Sequence, residues 1–116
     1  MGISAYRQVQ KVAETPRSTE YRLFGQVTGA LMDARETGLQ GAALMDILHW
    51  NRELWMTLGT SCKDSSNALP NELRAAIISL SLWVDRYSSD VMAQKGDIQD
   101  LIDVNRQMME GLSGAN

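Results

Sequence analysis

The sequence predicts an all-α protein, a single compact bundle of about five helices that occupies residues 1–116. Apolar residues recur at alternating steps of three and four in successive segments, which is the spacing of one face of a helix. No segment alternates with period two over the length of a strand. The 116 residues, 44% of them hydrophobic, suffice for one domain with a sizeable core and are too few for two.

The helix expected at the centre of the bundle runs from Pro70 to about Met92. Its main apolar stripe consists of Leu73, Ile77, Leu80, Val84, Tyr87 and Val91. Ala76, Ile78, Leu82 and Trp83 widen that stripe beyond what one neighbouring helix could cover. Proline suits a first turn because its missing N–H would be unpaired there anyway.

A short helix is predicted from Ser4 to Glu14, with Tyr6, Val9 and either Val12 or Ala13 at helical spacing. A helix of this length is marginal alone, so we expect it to fold only by docking.

A second helix is predicted from the Thr15-Pro16 pair to about Glu36, since threonine caps a helix and proline suits its first position. Gly38 follows where a C-terminal glycine is expected.

The third predicted helix follows Leu39-Gln40-Gly41 and runs to about Leu58, with Gly59 ending it. Its buried side is expected to carry Leu44, Ile47, Leu48, Leu54, Trp55 and Leu58. Trp50 and Trp55 are five residues apart and point to different faces, so one of them should lie at a surface.

A polar connection of about residues 60–67 follows, which carries Cys62 and is expected to be mobile. Asp97 is then a good N-cap for the fifth helix, before a flexible tail at residues 113–116. The stripe of this last helix is Ile98, Leu101, Ile102, Met108, Met109 and Leu112.

Two asparagines lie inside apolar stripes, and each is followed by an arginine: Asn51-Arg52 and Asn105-Arg106. A buried amide without a partner costs about 1–3 kcal/mol, so each asparagine should be hydrogen-bonded. They could bond each other or a nearby backbone and fix the register of the helices. Alternatively, they could line a groove between the third and fifth helices and bond a partner, with the arginines at its rim.

The composition excludes several classes of function. A net charge of -3 and a pI near 5.0 argue against direct nucleic-acid binding. No apolar run is long enough for membrane insertion, and no signal peptide is visible, so a cytoplasmic protein is expected. A single cysteine, Cys62, fits a reducing compartment.

No catalytic, metal or cofactor site is predicted. His49 and Cys62 are the chain's sole histidine and cysteine, and nothing in their positions makes them a base and nucleophile pair. No metal-ligand spacing or nucleotide-binding glycine loop occurs. We therefore expect a protein that is not an enzyme.

The three tryptophans and seven methionines are many for so short a chain, and both residue types are common in protein recognition. The predicted partner-binding residues are Trp50, Asn51, Arg52, Trp55, Asn105, Arg106 and Met109.

Over nearly its whole length the chain resembles the bacterial flagellar biosynthesis regulator family FlaF. The matching elements are Ala5-Tyr6, Thr15-Pro16-Arg17 with Glu20, Asn51 to Trp55 with Leu58, Asn67 to Pro70 with Leu73 to Ala75, Ile77 to Leu80, and Asp103 to Arg106 with Met109 and Gly111-Leu112. Their order and spacing together carry the resemblance.

The resemblance implies a flagellin-binding secretion chaperone that keeps unassembled flagellin from polymerising and is linked to control of flagellin synthesis. One alternative is a post-transcriptional regulator that acts through a protein partner such as FlbT. Another, which follows from the surplus tryptophans, is a self-associating structural bundle.

Overall fold

The computed structural model describes residues 16–114 and the side chains of residues 19–111, and within this range it has four helices and no strand. These are α1 (Pro16–Thr37), α2 (Gly41–Lys63), α3 (Asn71–Met92) and α4 (Ile98–Gly114). The all-α prediction is confirmed. The short helix predicted for Ser4 to Glu14 lies outside the described residues.

The four helices form a ring of neighbours. α1 packs on α2 and on α4, while α3 packs extensively on α2 and to a smaller extent on α4. The bundle measures 48 × 37 × 19 Å, and its smallest dimension is that of two helix layers. α3 is therefore not at the centre as predicted, because its backbone does not approach that of α1 and its Leu82 is 54% exposed.

The core is filled by the inward stripes of all four helices. Its largest fully buried side chains include Trp55, Phe24, Leu31, Leu48, Ile77, Leu101 and Ile102. The Phe24 and Trp55 rings meet edge to face with centroids 5.4 Å apart, an arrangement in which a positive ring edge faces a negative ring face. This contact joins α1 to α2 at the middle of the bundle.

The turn between α1 and α2 depends on two glycines. Gly38 and Gly41 have φ angles of 61° and 70°, a backbone conformation that residues with a Cβ rarely adopt. The Leu39 N–H donates to the Ala34 carbonyl at 2.9 Å, which closes the end of α1. The role predicted for Gly38 is confirmed.

α2 is longer than predicted at its C-terminal end. Gly59 was expected to end the helix and Cys62 to lie in a polar loop, but α2 continues through Lys63 and buries Cys62 to 1% exposure. Gly59 is a contact point, since a Cβ built there would lie 2.6 Å from Ser81 Oγ. Glycine at this position permits the close approach of α2 and α3.

We expect Gly59→Ala to destabilise the protein by about 1–3 kcal/mol, because the added methyl group overpacks the α2 and α3 contact. Gly29→Ala is the matched control, since nothing lies within 4 Å of a Cβ there. It should stabilise the protein by about 0.5–1 kcal/mol through helix propensity. Chemical denaturation measures both, and equal stabilisation by the two changes would refute the close approach at Gly59.

The start of α4 is fixed by a small polar cluster. Asp97 Oδ1 accepts the Gln99 N–H at 2.9 Å, which confirms the predicted N-cap. The Tyr87 hydroxyl accepts the Asp97 N–H at 2.9 Å and donates to the Asp100 carboxylate. Trp83 stacks on the Tyr87 ring with centroids 4.6 Å apart. The cluster ties the last turns of α3 to α4.

The hydrogen bond to Asp100 raises the pKa of Tyr87 above its ordinary value. A raised folded-state pKa means that this contribution to stability is complete below about pH 10, the value in an unfolded chain, and is lost as the pH rises through the folded-state pKa. We expect phenolate absorbance to show Tyr87 ionising earlier in Asp100→Asn. An unchanged titration would show that the hydrogen bond does not form in solution. Subtracting the curve of Tyr87→Phe isolates this tyrosine.

Candidate partner-binding surface

A buried hydrogen-bond network crosses the centre of the bundle. The Trp55 indole Nε1–H donates to Asn105 Oδ1 at 2.8 Å. Asn105 Nδ2 in turn donates to Asn51 Oδ1 at 2.7 Å and to Thr28 Oγ1 at 3.1 Å. The Thr28 hydroxyl donates to the Phe24 carbonyl at 2.6 Å. The network links α1, α2 and α4, two of which lie diagonally across the ring.

The orientation of this network follows from the indole. An indole N–H can only donate, so Asn105 must present its oxygen to Trp55 and its amide to Asn51. Asn51 therefore accepts through its oxygen, and its Nδ2 has no partner within the described residues. The two asparagines bond each other, as in the first of the two arrangements predicted for them.

Asn51, Trp55 and Asn105 have no exposed surface. α2 and α4, which were expected to form a groove, have no direct backbone contact in the ring. The hydrogen bonds from Trp55 and Asn51 to Asn105 span the distance between them. A partner could touch these three side chains only after the bundle opened, and their assignment as partner-binding residues stays a prediction.

The two arginines lie at different seams between helices. Arg52 Nε is 3.7 Å from Asp85 Oδ1, at the seam between α2 and α3, and its Nη2 contacts His49 Nδ1 at 2.7 Å. Arg106 Nη2 lies 3.6 Å from Met32 Sδ, at the seam between α1 and α4. These seams are on opposite sides of the ring. The two arginines were expected at the rim of one groove. In the structure they therefore do not lie at one rim.

Met109 is half-buried on α4, with its sulfur 4.0 Å from Thr28 Oγ1. A Cβ on Gly25 would lie 3.5 Å from its terminal methyl group. Met109 thus packs against α1 beside the central network.

Trp50 is 37% exposed whereas Trp55 is fully buried, which confirms the prediction that the two would face different environments. Ile47 and Leu54, at i−3 and i+4 from Trp50, are half-buried and pack against the core. We call Ile47, Trp50 and Leu54 the Trp50 stripe. Its spacing is that of one face of a helix.

Helix geometry places the Trp50 stripe beside α1. α2 meets α3 through Arg52 and Gly59, and Ile47 and Leu54 lie about 140° around α2 from those two residues. α1 is the other neighbour of α2, so the stripe borders the outer seam between α1 and α2. Trp50 stands at its solvent side.

Two exposed carboxylates, Asp46 and Glu53, flank the Trp50 stripe, and neither makes an ion pair with the described residues. They are seven residues apart, so they lie along the same side of α2. The sequence prediction named Trp50 but missed the rest of this surface. The spacing of Ile47, Trp50 and Leu54 was visible, yet Ile47 and Leu54 were assigned wholly to the core.

A cleft of about 670 Å³ lies at the end of the bundle where α1 ends and α2 begins. Its apolar wall includes Leu39, Leu44, Leu48, Val91, Met92 and Ile98. Its polar lining residues, Arg35, Gln40, Gln94 and Asp97, are exposed or half-exposed. No buried polar group in the cleft is held ready to orient a ligand.

Within the described residues no group of three or more His, Cys, Asp or Glu side chains could hold a metal ion. No helix in residues 16–114 is long and apolar enough to cross a membrane.

Residues 2–112 match the family model described as flagellar protein FlaF. No curated protein and no solved structure matches the chain.

Proposed function

Because this chain belongs to the flagellar protein FlaF family, with a match over nearly its whole length, we propose that it is a flagellin-binding secretion chaperone. It keeps unassembled flagellin from polymerising and supports its export. Family membership makes it a flagellar protein, and the chaperone role is our proposal.

The observation that carries the proposal is the Trp50 stripe. Trp50 is a large apolar side chain, 37% exposed and continued on both sides by half-buried apolar residues at helical spacing. An amphipathic helix can lay its apolar face on such a surface, with anchors at i, i+3, i+4 and i+7. Exposed tryptophan is among the residues that contribute most to binding energy at interfaces.

The physical reason for a chaperone lies in the chemistry of a polymerising subunit. A subunit that assembles through amphipathic helices exposes an apolar helical face before assembly, and covering that face blocks polymerisation. Release for export requires moderate affinity, roughly micromolar to tens of nanomolar, or about −8 to −10 kcal/mol.

The test is titration of monomeric flagellin into the full chain, followed by tryptophan fluorescence and by sedimentation. We expect a saturable one-to-one complex that slows filament growth. Absence of a complex at roughly ten times the weakest expected Kd, in the range of tens of micromolar, would overturn the proposal.

The same titration with FlbT examines the regulator alternative. The acidic charge of the chain, -3 at pH 7, supports leaving any RNA contact to that partner. A stable complex with FlbT, formed by a protein that does not bind flagellin, would favour the regulator.

A further inference from the structure

We propose that this chain forms a two-fold symmetric dimer through the outer face of α2 and α3. We call this surface the α2/α3 face, and its residues are Glu53, Met56, Ile78, Leu82 and Arg86. Trp50 lies about 160–180° around α2 from Arg52 and Gly59, the residues that meet α3. The dimer therefore leaves the Trp50 stripe free, and it does not rest on the proposed function.

Two contacts fix how α2 and α3 lie against each other. Arg52 meets Asp85 at one point of the seam, and Gly59 meets Ser81 further along. The residue numbers run in opposite directions, so the two helices are antiparallel. Trp55, which is fully buried, lies about 50° around α2 from these contacts and marks the core side of the seam.

The exposed residues turn to the other side of the seam, away from the core. On α2, Met56 and Glu53 lie about 50° and 110° from the contact line. On α3, Leu82 and Arg86 lie about 80° and 120° from it, whereas the buried Ile77 lies about 60° toward the core. At about 1.5 Å per residue, Met56 is at the height of Leu82 and Glu53 at that of Arg86, each to within about 3 Å.

The α2/α3 face is the most apolar part of the described surface. Five large hydrophobic side chains are exposed in the described part of the chain, and two of them, Met56 and Leu82, lie side by side here at 41% and 54% exposure. A third, Met45, continues the line along α2 at 45%. The half-buried Ile78 lies one turn before Leu82. Contiguous exposed apolar side chains of this kind mark interaction sites.

The charges identify a second copy of this chain as the occupant. Glu53 and Arg86 are both exposed, and neither forms an ion pair with another described residue. They lie at opposite edges of a surface two helices wide, about 20 Å, so they cannot pair within one chain. A two-fold axis along the seam, parallel to the helices, lays α2 of each copy on α3 of the other. Glu53 of each copy then meets Arg86 of the other, and Met56 meets Leu82.

The size of the face also fits a dimer. α2 and α3 have 23 and 22 residues and pack extensively on each other. Two helices of this length present a surface of about 30 Å by 20 Å. A specific dimer buries about 800 Å² per partner, which such a surface supplies once the relief of its side chains is included.

The test is sedimentation of the full chain, without flagellin, over a range of concentrations. We expect an equilibrium between monomer and dimer with a Kd of roughly 1–100 µM, weak for an interface of this size because no aromatic side chain anchors it. A protein that stays monomeric at about ten times the weakest expected Kd would overturn the proposal. If flagellin does not bind while the dimer forms, the chaperone proposal fails and the dimer stands.

Leu82→Glu tests whether the dimer uses this face. It places a carboxylate against Met56 of the second copy and should raise the Kd of the dimer about tenfold or more. Tyr21→Glu is the matched control, since Tyr21 is 41% exposed but lies on α1, and its Kd should stay within about twofold. An unchanged Kd for Leu82→Glu, or equal weakening by both changes, would overturn the proposal.

A charge exchange tests the orientation of the two copies. Arg86→Glu alone should raise the Kd about threefold to tenfold, because it sets two carboxylates against each other at both edges of the dimer. Adding Glu53→Arg should return the Kd to within about twofold of the original value. Because the two residues lie at opposite edges of the face, this recovery can arise only between copies. A double variant that folds, as circular dichroism will show, and yet associates no more tightly than Arg86→Glu would overturn the proposal.

Discussion

Asn105→Ala is expected to lower the free energy of unfolding by about 3–5 kcal/mol, a large part of the stability of a domain of this size. The change deprives the Trp55 indole N–H of its acceptor and Asn51 Oδ1 of its donor, and both groups are fully buried. It also leaves a cavity where the amide was. Urea or thermal denaturation measures the loss.

Gln107→Ala is the matched control for this prediction. Gln107 lies two residues further along the same helix and is exposed, so its truncation should change stability by no more than about 0.5 kcal/mol. A loss of less than about 1 kcal/mol for Asn105→Ala would mean that water replaces the missing partners. The network would then not be a main source of stability.

Trp50→Ala is expected to weaken flagellin binding by about thirtyfold to 150-fold, which corresponds to roughly 2–3 kcal/mol. Trp50 is already 37% exposed, so its removal should affect folding much less than binding. Isothermal calorimetry of the variant with monomeric flagellin gives the Kd, and circular dichroism confirms the helical content.

Leu82→Ala is the control for Trp50→Ala. Leu82 is 54% exposed on α3, away from the seam between α1 and α2, so its loss should leave the Kd within about twofold. If Leu82→Ala weakens binding as much as Trp50→Ala, flagellin occupies another face or a wider surface. The Trp50 stripe would then lose its assignment.

The helices could be predicted because their periodicity, caps and glycines act locally. Pro16, Gly38 and Asp97 mark boundaries that agree with the structure to within a residue or two. The C-terminal end of α2 could not be predicted, since Gly59 resembles a terminator in sequence. Only its approach to Ser81 shows that it belongs inside the helix.

The candidate surface was predicted in part for a related reason. Sequence spacing tells which residues share a face of a helix but not which neighbour that face meets. Asn51 and Asn105 were paired correctly as one of two alternatives, because a buried amide needs a partner. Arg52 and Arg106 were grouped wrongly at one rim, because their separation around the ring is a property of the assembled bundle.

The closing of the ring by α1 and α4 has a consequence for protein synthesis. Of the four described helices α4 is synthesised last, and it supplies both the covering for one side of α1 and the Asn105 acceptor for Trp55. A nascent chain that ends before Ile98 can pair α2 with α3 through local contacts, but it leaves that side of α1 in water. The four-helix bundle therefore cannot be completed before α4 has emerged, and products truncated before Ile98 carry an exposed apolar face that marks them for aggregation or proteolysis.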